Sequence, residues 1–267
     1  MTASDPPDTD IDRPGQRRGF GVDVGGSGVK GGIVDLDTGL LIGDRFKLLT
    51  PKPATPDAVA QTIADVVGHF GWEGPLGVTY PGVVTEGIVR TAANVDKGWI
   101  GANVQEVIGA ALGGRHVTVL NDADAAGLAE EKFGAGRENT GVIVLLTFGT
   151  GIGSAVIHNG ALLPNTEFGH LEVDGKEAEH RAASSVKERE DWGYRRWTEE
   201  VTKVLVAIEN AIWPDLFIAG GGISRKAPKW VPLLKNRTPV VAAALQNSAG
   251  IVGAAMAGDT DITATRG

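Results

Sequence analysis

The sequence predicts an α/β protein built from two similar units, and three observations support this prediction. A glycine-rich turn lies between short apolar runs in each half of the chain, in GVDVGGSGVKGGIV (residues 21–34) and VLLTFGTGIGSAV (residues 144–156). Each segment is typical of a strand, a tight turn and a second strand, and further strand and helix patterns follow each one. The length of 267 residues is sufficient for two modest domains. The shared layout suggests a duplicated unit with a boundary near residues 120–140.

The first half begins with a predicted hairpin, Phe20–Val24 and Gly31–Asp35, around the first glycine turn. Thr55 followed by Pro56 predicts a helix start, because a hydroxyl caps the open amide groups and proline fits the first helical position. Apolar residues at helical spacing then give this helix one buried face. The further elements predicted here are a strand at Leu40–Leu49, a strand at Leu76–Tyr80, a helix at Val104–Ala111, a strand at His116–Leu120 and a helix at Ala123–Phe133.

The second half repeats the order of strand, glycine turn and strand, and then departs from it. Residues 164–196 are polar and irregular, which predicts a long functional loop with short helices. A third glycine turn follows at residues 220–224. The elements predicted in this half are strands at Gly141–Phe148, Ser154–His158, Leu216–Ala219 and Val240–Leu245, an amphipathic helix at Trp197–Trp213 and a helix at Ser248–Met256.

The composition excludes several classes of protein. The net charge of −8 argues against a nucleic-acid-binding protein, which usually carries a basic excess. Without cysteine the chain has no disulfide, no cysteine–zinc site and no thiol nucleophile, which fits a cytoplasmic protein. No apolar run approaches the roughly 18 residues of a membrane span, and the N-terminus lacks the apolar region of a signal peptide. Residues 1–18 are expected to form a disordered tail.

The first glycine turn predicts a site for phosphate groups. Glycines leave backbone N–H groups open to an anion, and Gly26, Gly28 and Gly31 also match the pattern GxGxxG. A dinucleotide site would need a helix beginning within the turn, whereas a strand pattern follows. A hairpin that only reverses the chain stays open as an alternative. Asp23 favours the phosphate site, because a carboxylate beside phosphates requires a cation, and this predicts Mg²⁺ held directly or through water.

Asn121 and Asp122 lie where a predicted strand ends and a helix begins. One interpretation is a helix N-cap, for which this residue pair is a common choice. The other is a pair that binds a polyol through hydrogen bonds, with Asp122 as the general base. The two interpretations are compatible.

The segment EFGH, residues 167–170, lies in the polar loop and offers a carboxylate and an imidazole. Such groups suit recognition of sugar hydroxyls, and a metal site with Glu179 and His180 is the alternative. Further along, RKAPKWVPLLKNR (residues 225–237) carries five basic residues and no acidic one. This segment is either a solvated face or a track for a polyanionic phosphoryl donor.

Five motifs, taken in order, resemble those of the ROK sugar kinases: DVGGSGVKGGIV, LNDADAAGLAE, LTFGTGIGSAV, EFGH and IAGGGIS. YPGVV, GWIGANV and EFGHLEVDGKEAEHRAAS are similar to segments of the actinobacterial polyphosphate glucokinases, including the polyphosphate/ATP glucomannokinase type. The resemblance covers residues 19–258. It implies a two-lobed actin/hexokinase-like (ribonuclease H-like) fold, in which duplicated mixed sheets flanked by helices enclose a cleft. The lobes would be residues 19–121 and 122–267, with the C-terminal helix packing back on the first lobe.

The resemblance also implies roles for individual residues. Asp122 takes the proton from the 6-hydroxyl of the sugar, and the two glycine turns hold the donor phosphates with Mg²⁺. The residues implied to hold the sugar are Asn121, Asp122, Glu167, His170, Glu179, Pro81 and Gly82. Those implied to hold the phosphoryl donor are Gly25, Gly26, Ser27, Gly28, Lys30, Gly149, Thr150 and Gly151, with Gly220, Gly221 and Gly222 near a nucleotide. Many relatives carry a cysteine-rich zinc motif after the EFGH-like segment, and zinc is not expected here.

The sequence thus predicts a cytoplasmic kinase that phosphorylates glucose, and also mannose, at the 6-hydroxyl. The expected donor is inorganic polyphosphate, ATP or both, with Mg²⁺ as cofactor, and the resemblance suggests a homodimer. Two alternatives are a sugar-sensing ROK-like regulator and an actin-like nucleotide-binding protein. The regulator would need a DNA-binding domain before the first turn, and only about 18 residues precede that turn.

Overall fold

A computed structural model describes residues 15–92 and 95–259 of the chain. The tail predicted for residues 1–18 lies outside the described residues as far as residue 14. Beyond that point the prediction needs correction, because Arg18 begins the first strand and the Gln16 side chain donates a hydrogen bond to Asp35 at 2.7 Å. An ion pair between Arg17 and Asp259 also ties this segment to the end of the chain. Within the described residues, no helix has the length and apolar character needed to cross a membrane.

The backbone groups into two compact units. The first contains residues up to Leu120 and those from Ala254 onward, and the second contains Asn121–Gly253. The elements of the first unit, in chain order, are β1 (Arg18–Gly25), β2 (Gly28–Asp35), β3 (Leu41–Leu48), α1 (Pro56–His69), β4 (Leu76–Tyr80), β5 (Val84–Thr85), β6 (Ile88–Val89), α2 (Val104–Ala111) and β7 (Val117–Asn121). The elements that follow are α3 (Asp122–Lys132), β8 (Val142–Phe148), β9 (Ile152–His158), β10 (Ala161–Leu163), β11 (Glu172–Val173), β12 (Lys176–Glu177), α4 (Ala178–Ala182), α5 (Ser184–Arg189), α6 (Tyr194–Ile212), β13 (Leu216–Gly220), β14 (Val240–Ala242) and α7 (Ala249–Asp259).

A five-stranded mixed sheet of order β3-β2-β1-β4-β7 forms the centre of the first unit. β1 and β2 form the predicted hairpin, antiparallel from Arg18 opposite Asp35 to Gly25 opposite Gly28, while β1 runs parallel to β4. Helix α1 begins as predicted, with the Thr55 hydroxyl accepting from the Ala58 amide. A Cβ at Gly31 would lie 2.5 Å from Val66, so this strand glycine lets α1 pack close against the sheet.

The end of α7 packs against β4 at a second close approach. A Cβ at Gly77 would lie 1.8 Å from the carbonyl oxygen of Ala254, and Gly258 likewise meets the backbone of Leu76 and Gly77. Glycine on both elements lets the helix backbone lie directly on the sheet backbone.

The second unit contains another five-stranded mixed sheet, of order β10-β9-β8-β13-β14. β8 and β9 are antiparallel around the second glycine turn, and β13 runs parallel to both β8 and β14. Helix α6 covers one face, where the buried rings of Phe148, Trp197 and Trp230 pack edge to face with centroids 5.0–6.0 Å apart. Helix α3 lies close to β9, since a Cβ at Gly127 would approach Ala155 to 2.6 Å.

Strand β14 ends at Ala242, three residues before the predicted end at Leu245. The cause is Glu130, whose fully buried carboxylate accepts the amides of Ala244 at 3.0 Å and Leu245 at 2.7 Å. These amides are therefore withdrawn from sheet pairing. In the polar loop the structure forms the predicted short helices α4 and α5, and α6 begins at Tyr194, three residues before the predicted start.

Candidate active site

The side chains of Asn121 and Asp122 lie at the start of α3. The Asn121 side-chain oxygen accepts the amides of Ala123 at 2.7 Å and Asp124 at 3.2 Å, which confirms the N-cap interpretation. Asp122 is exposed in the first helical turn, and one of its oxygens accepts the Ala123 amide at 2.9 Å. A carboxylate at this end of a helix is stabilised by the helix dipole. The cap therefore fixes the position of Asp122 without burying its carboxylate.

The loop that carries Glu167 is anchored to β9. Buried Ser154 donates its hydroxyl to the carbonyl of Thr166 at 2.7 Å and accepts the Phe168 amide at 2.9 Å. Burial raises the pKa of Glu167, the carboxylate of Glu179 raises it further, and His170 lowers it. Glu167 and Glu179 are therefore close enough to influence each other.

Glu179 lies against the second glycine turn. Its carboxylate accepts the Ile152 amide at 3.4 Å, and a Cβ at Gly151 would lie 2.3 Å from that carboxylate. A side chain at position 151 would therefore displace the Glu179 carboxylate from its present position. The structure brings a residue predicted for the sugar and a turn predicted for the donor next to each other.

His170, Glu177 and Glu179 offer ligand atoms that all lie within 4.8 Å of one another. Glu177 contacts two imidazoles, with its carboxylate 3.6 Å from His170 Nδ1 and 3.1 Å from His180 Nδ1. Glu177 was missed by the sequence reasoning, which paired His180 with Glu179 for a metal site. In the structure, His180 Nε2 lies 3.8 Å from Glu179.

Asp124 is a buried carboxylate that the sequence reasoning also missed. One of its oxygens accepts the Asn165 amide at 2.8 Å, and within the described part of the chain the other has no hydrogen-bond partner. The pKa of Asp124 is raised to about 7, chiefly by burial; the Asn165 amide opposes this rise, and the carboxylates of Glu167 and Asp122 add to it. The Asp124 carboxylate thus links α3, which carries Asp122, to the loop that carries Glu167.

We expect Asp124→Asn to reduce the loss of folding stability that the wild type shows as pH rises. Because the carboxyl has a raised pKa in the folded state, its protonated form contributes stability below about pH 4, and this contribution is lost as pH rises through about 7. The amide of asparagine resembles the protonated acid and does not ionise. Urea titration measures the unfolding free energy of both proteins. The value for the variant minus that for the wild type should be about 2–3 kcal/mol larger at pH 8 than at pH 5.

Asp44→Asn is the matched control, because Asp44 is an exposed carboxylate on β3. It should shift the unfolding free energy by the same small amount at both pH values. A difference between Asp124→Asn and wild type that does not change with pH would contradict the buried, protonated state of Asp124.

The second glycine turn, residues 149–151, is partly occupied by its own hydrogen bonds. The Gly149 amide donates to the Gly151 carbonyl at 2.9 Å, so this amide is already paired within the turn, and the contact of Gly149 with a donor stays a prediction. Ser184 donates to the Gly149 carbonyl at 3.0 Å, and Ser185 donates to the Thr150 carbonyl at 2.6 Å. The contacts of Thr150 and Gly151 with a donor phosphate stay predictions.

The third glycine turn, residues 220–222, adjoins the second. Gly220 pairs with Thr147, and Gly221 approaches Phe148 so closely that a Cβ would lie 2.4 Å from its carbonyl oxygen. Gly221 has a φ of +79°, a conformation that side chains rarely adopt. Ser224 closes the turn by donating its hydroxyl to the Gly221 carbonyl at 2.8 Å. The second and third turns thus end neighbouring strands of one sheet.

The first turn belongs to the other unit, where it is a two-residue connection at Gly26 and Ser27. Asp23 lies beside it on β1, with one oxygen 3.2 Å from the Lys30 ammonium and the other accepting the Thr79 hydroxyl at 3.1 Å. The sequence reasoning paired Asp23 with a metal and left Lys30 as a donor contact. In the structure the Lys30 ammonium contacts the Asp23 carboxylate directly. Lys30 therefore neutralises part of the negative charge of Asp23.

Pro81 and Gly82 follow β4 in the first unit. The Gly82 amide donates to the Tyr80 carbonyl at 2.9 Å, and a Cβ at Gly82 would lie 2.7 Å from the Thr91 carbonyl oxygen. The contact of Pro81 and Gly82 with a sugar stays a prediction.

Comparison with known proteins shows the family of the chain. The model of the ROK family matches residues 19–186. The polyphosphate glucokinase of Mycobacterium tuberculosis (strain ATCC 25618 / H37Rv) is 78% identical over 248 residues, covering 93% of this chain and 94% of that protein. The polyphosphate glucokinase of Mycobacterium leprae (strain TN) is 72% identical over 258 residues, covering 97% of this chain and 80% of that protein.

A solved structure extends the comparison to the fold. The inorganic polyphosphate/ATP-glucomannokinase from Arthrobacter sp. strain KM is 45% identical, with a TM-score of 0.85 over 93% of this chain and 99% of that chain. Each unit of the present chain has the mixed sheet and flanking helices of the actin/hexokinase-like fold that ROK sugar kinases share. The chain therefore belongs to the ROK family.

Proposed function

We propose that the chain is a glucokinase that transfers a phosphoryl group from inorganic polyphosphate or ATP to the 6-hydroxyl of glucose. The observation that carries the proposal is the grouping of Asp122, Glu167 and Glu179 in one unit, with Glu179 beside the second glycine turn. Asp122 and Glu167 both raise the pKa of Asp124, and Glu179 borders Gly151. The relatives named polyphosphate glucokinases support the reaction and the polyphosphate donor.

In the proposed reaction the 6-hydroxyl oxygen of glucose attacks the terminal phosphorus of the donor in line with the leaving phosphate oxygen. An oxygen–phosphorus bond to the sugar forms while the bond to the leaving oxygen breaks, and Asp122 accepts the hydroxyl proton. In phosphoryl transfer, positioning and charge stabilisation supply most of the catalysis. Asn121, Glu167, His170 and Glu179 orient the sugar, and the Thr150 and Gly151 amides contact donor phosphates.

Mg²⁺ is the proposed cofactor, and Asp23 is compatible with it. Mg²⁺ prefers carboxylate oxygens and usually keeps several of its waters. Because Lys30 and Thr79 already contact the two oxygens of Asp23, contact with the ion through water is favoured over direct coordination. When bound, Mg²⁺ neutralises charge on the donor phosphates.

Three finer features belong to the same proposal. We include mannose as a second acceptor, which the name of the Arthrobacter glucomannokinase supports. A cytoplasmic location is consistent with the absence of cysteine from the sequence. The homodimer rests on family resemblance alone, and light scattering on the purified protein tests it.

A donor comparison tests the proposed function. Purified protein is supplied with glucose, Mg²⁺ and either ATP or apyrase-treated long-chain polyphosphate, and glucose 6-phosphate is measured by a coupled dehydrogenase. We expect product with polyphosphate and its loss when EDTA removes the metal. If ATP gives product and polyphosphate does not, polyphosphate is rejected as the donor and the glucokinase activity is retained. If neither donor gives product, the glucokinase activity is rejected.

A further inference from the structure

The connection between β13 and β14, residues 221–239, is a basic surface that the proposed reaction does not use; we name it the basic crossover. All five of its cationic side chains are exposed: Arg225, Lys226, Lys229, Lys235 and Arg237. The sequence has no acidic residue from Leu216 to Gly258, although the whole chain has a net charge of −8. Within residues 15–92 and 95–259, none of the five pairs with a carboxylate. The crossover itself therefore carries only positive charge, and an acidic residue that contacts it, buried Glu209 of α6, accepts the backbone amides of Arg237 and Thr238.

Buried residues of the crossover hold the backbone that carries these cations. Its 3₁₀ segment, Gly222–Lys229, buries Ala227, and Trp230 after it is fully buried in the aromatic core. The Trp230 ring nitrogen donates back to the Ile223 carbonyl at 3.2 Å. Because the apolar side chains point into the core, Arg225, Lys226 and Lys229 are exposed on the opposite side. Anchored cations lose less conformational entropy on binding than cations on a mobile loop.

The crossover also spans the length of a strand. Since β13 and β14 are parallel, it starts at the carboxyl end of β13 and returns to the amino end of β14. A strand of five residues is about 16 Å long. Arg225 follows the third glycine turn, whereas the Arg237 guanidinium lies 3.8 Å from the ring of exposed Trp213, which precedes β13. The cations thus extend along the sheet from the glycine turn to its far end.

A cavity of about 470 Å³ lies between α6 and the crossover and adds a further cation. Arg195 and Lys235 line it, together with Thr198, Thr202, Glu199 and Pro232 among others. Glu199, the acidic residue of this set, is paired with Arg196 at 3.0 Å. The cationic surface therefore continues from the crossover onto α6.

We propose that the basic crossover binds the part of a long inorganic polyphosphate chain that lies beyond its reacting end. This inference rests on the proposed function, because it supposes that polyphosphate is the donor. An unbranched polyanion can follow cations distributed along a strand, whereas the triphosphate of a nucleotide is too short to contact both ends. The crossover consequently makes the enzyme sensitive to polyphosphate chain length without affecting ATP.

The test compares the triple variant K229Q/K235Q/R237Q, whose changes lie away from the third glycine turn, with the wild type. We expect the KM for long-chain polyphosphate to rise about tenfold with kcat little changed, and the KM for ATP to stay within about twofold. The dependence of the polyphosphate KM on NaCl concentration should become shallower, since fewer cations contact the chain. The control K132Q/R137Q/R189Q removes the same charge from positions elsewhere in the unit and should leave both KM values unchanged.

Direct binding of fluorescently labelled polyphosphate separates this inference from the proposed function. If the wild type uses polyphosphate and the triple variant keeps its KM and its affinity, the crossover inference is overturned and the function stands. If the wild type binds polyphosphate through the crossover but makes no glucose 6-phosphate, the function is overturned and the binding surface stands. Equal losses with ATP and polyphosphate, or single-stranded DNA that competes as strongly as polyphosphate, would also overturn the inference.

Discussion

Asp122→Asn is expected to lower kcat for glucose phosphorylation by about 10²–10⁴, the usual effect of losing a general base. The amide oxygen of asparagine can still accept the Ala123 amide that Asp122 accepts at 2.9 Å, so the start of α3 should keep its structure. The KM for glucose should change little, because the other sugar-orienting residues stay in place. Initial rates at saturating donor and varied glucose measure both quantities.

Asp57→Asn is the matched control for this variant. Asp57 also lies exposed in the first turn of a helix, α1, and its replacement removes the same charge from a comparable dipole position. It should leave kcat within about twofold of the wild type. A near-normal kcat for Asp122→Asn would remove Asp122 from the proposed role.

Gly253→Ala is expected to lower the unfolding free energy by about 3 kcal/mol or more, because overpacking against a rigid backbone is strongly destabilising. A Cβ at Gly253 on α7 would lie 1.8 Å from the carbonyl oxygen of Ala125 and 2.4 Å from its carbonyl carbon, both on α3. A backbone cannot rotate away as a side chain can, so the two helices must separate. Since α3 carries Asp122 and is capped by Asn121, kcat should fall as well.

Gly68→Ala provides the opposite control within another helix. Gly68 lies exposed inside α1, and beyond the helix's own backbone a Cβ there would meet no atom of the described residues within 4 Å. Alanine there should raise the unfolding free energy by about 0.5–1 kcal/mol through helix propensity. Thermal unfolding followed by circular dichroism measures both variants. A Gly253→Ala protein as stable as the wild type would contradict the close packing of α7 on α3.

Local features of the fold were predictable because their causes lie close together in the sequence. The hairpin around Gly26, the Thr55 cap and the bounds of α2 at Val104–Ala111 all depend on residues a few positions apart. The Asn121 cap belongs to the same class, since the amides that it satisfies are two and three residues away.

Features that depend on distant partners were not predictable in this way. Asp124 bonds to Asn165 and Glu130 to Leu245, across 41 and 115 positions, and nothing near either acid reveals its partner. The Lys30–Asp23 pair had a signal in the sequence, because the two residues face each other across the predicted hairpin. Applying the hairpin register to charged pairs would have found it. Glu177 differs, because its contact with His170 depends on the folding of the polar loop.

We expect this chain to transfer phosphate from a donor to the 6-oxygen of glucose. The direct measurement is ³¹P–¹³C NMR of the product formed from ¹³C-glucose and long-chain polyphosphate with Mg²⁺, by the wild type and by Asp122→Asn. We predict phosphorus coupling to carbon 6 of glucose in the wild-type reaction, and its near absence over the same time with the variant. Release of inorganic phosphate without a sugar ester, or an ester at another carbon, would contradict the account.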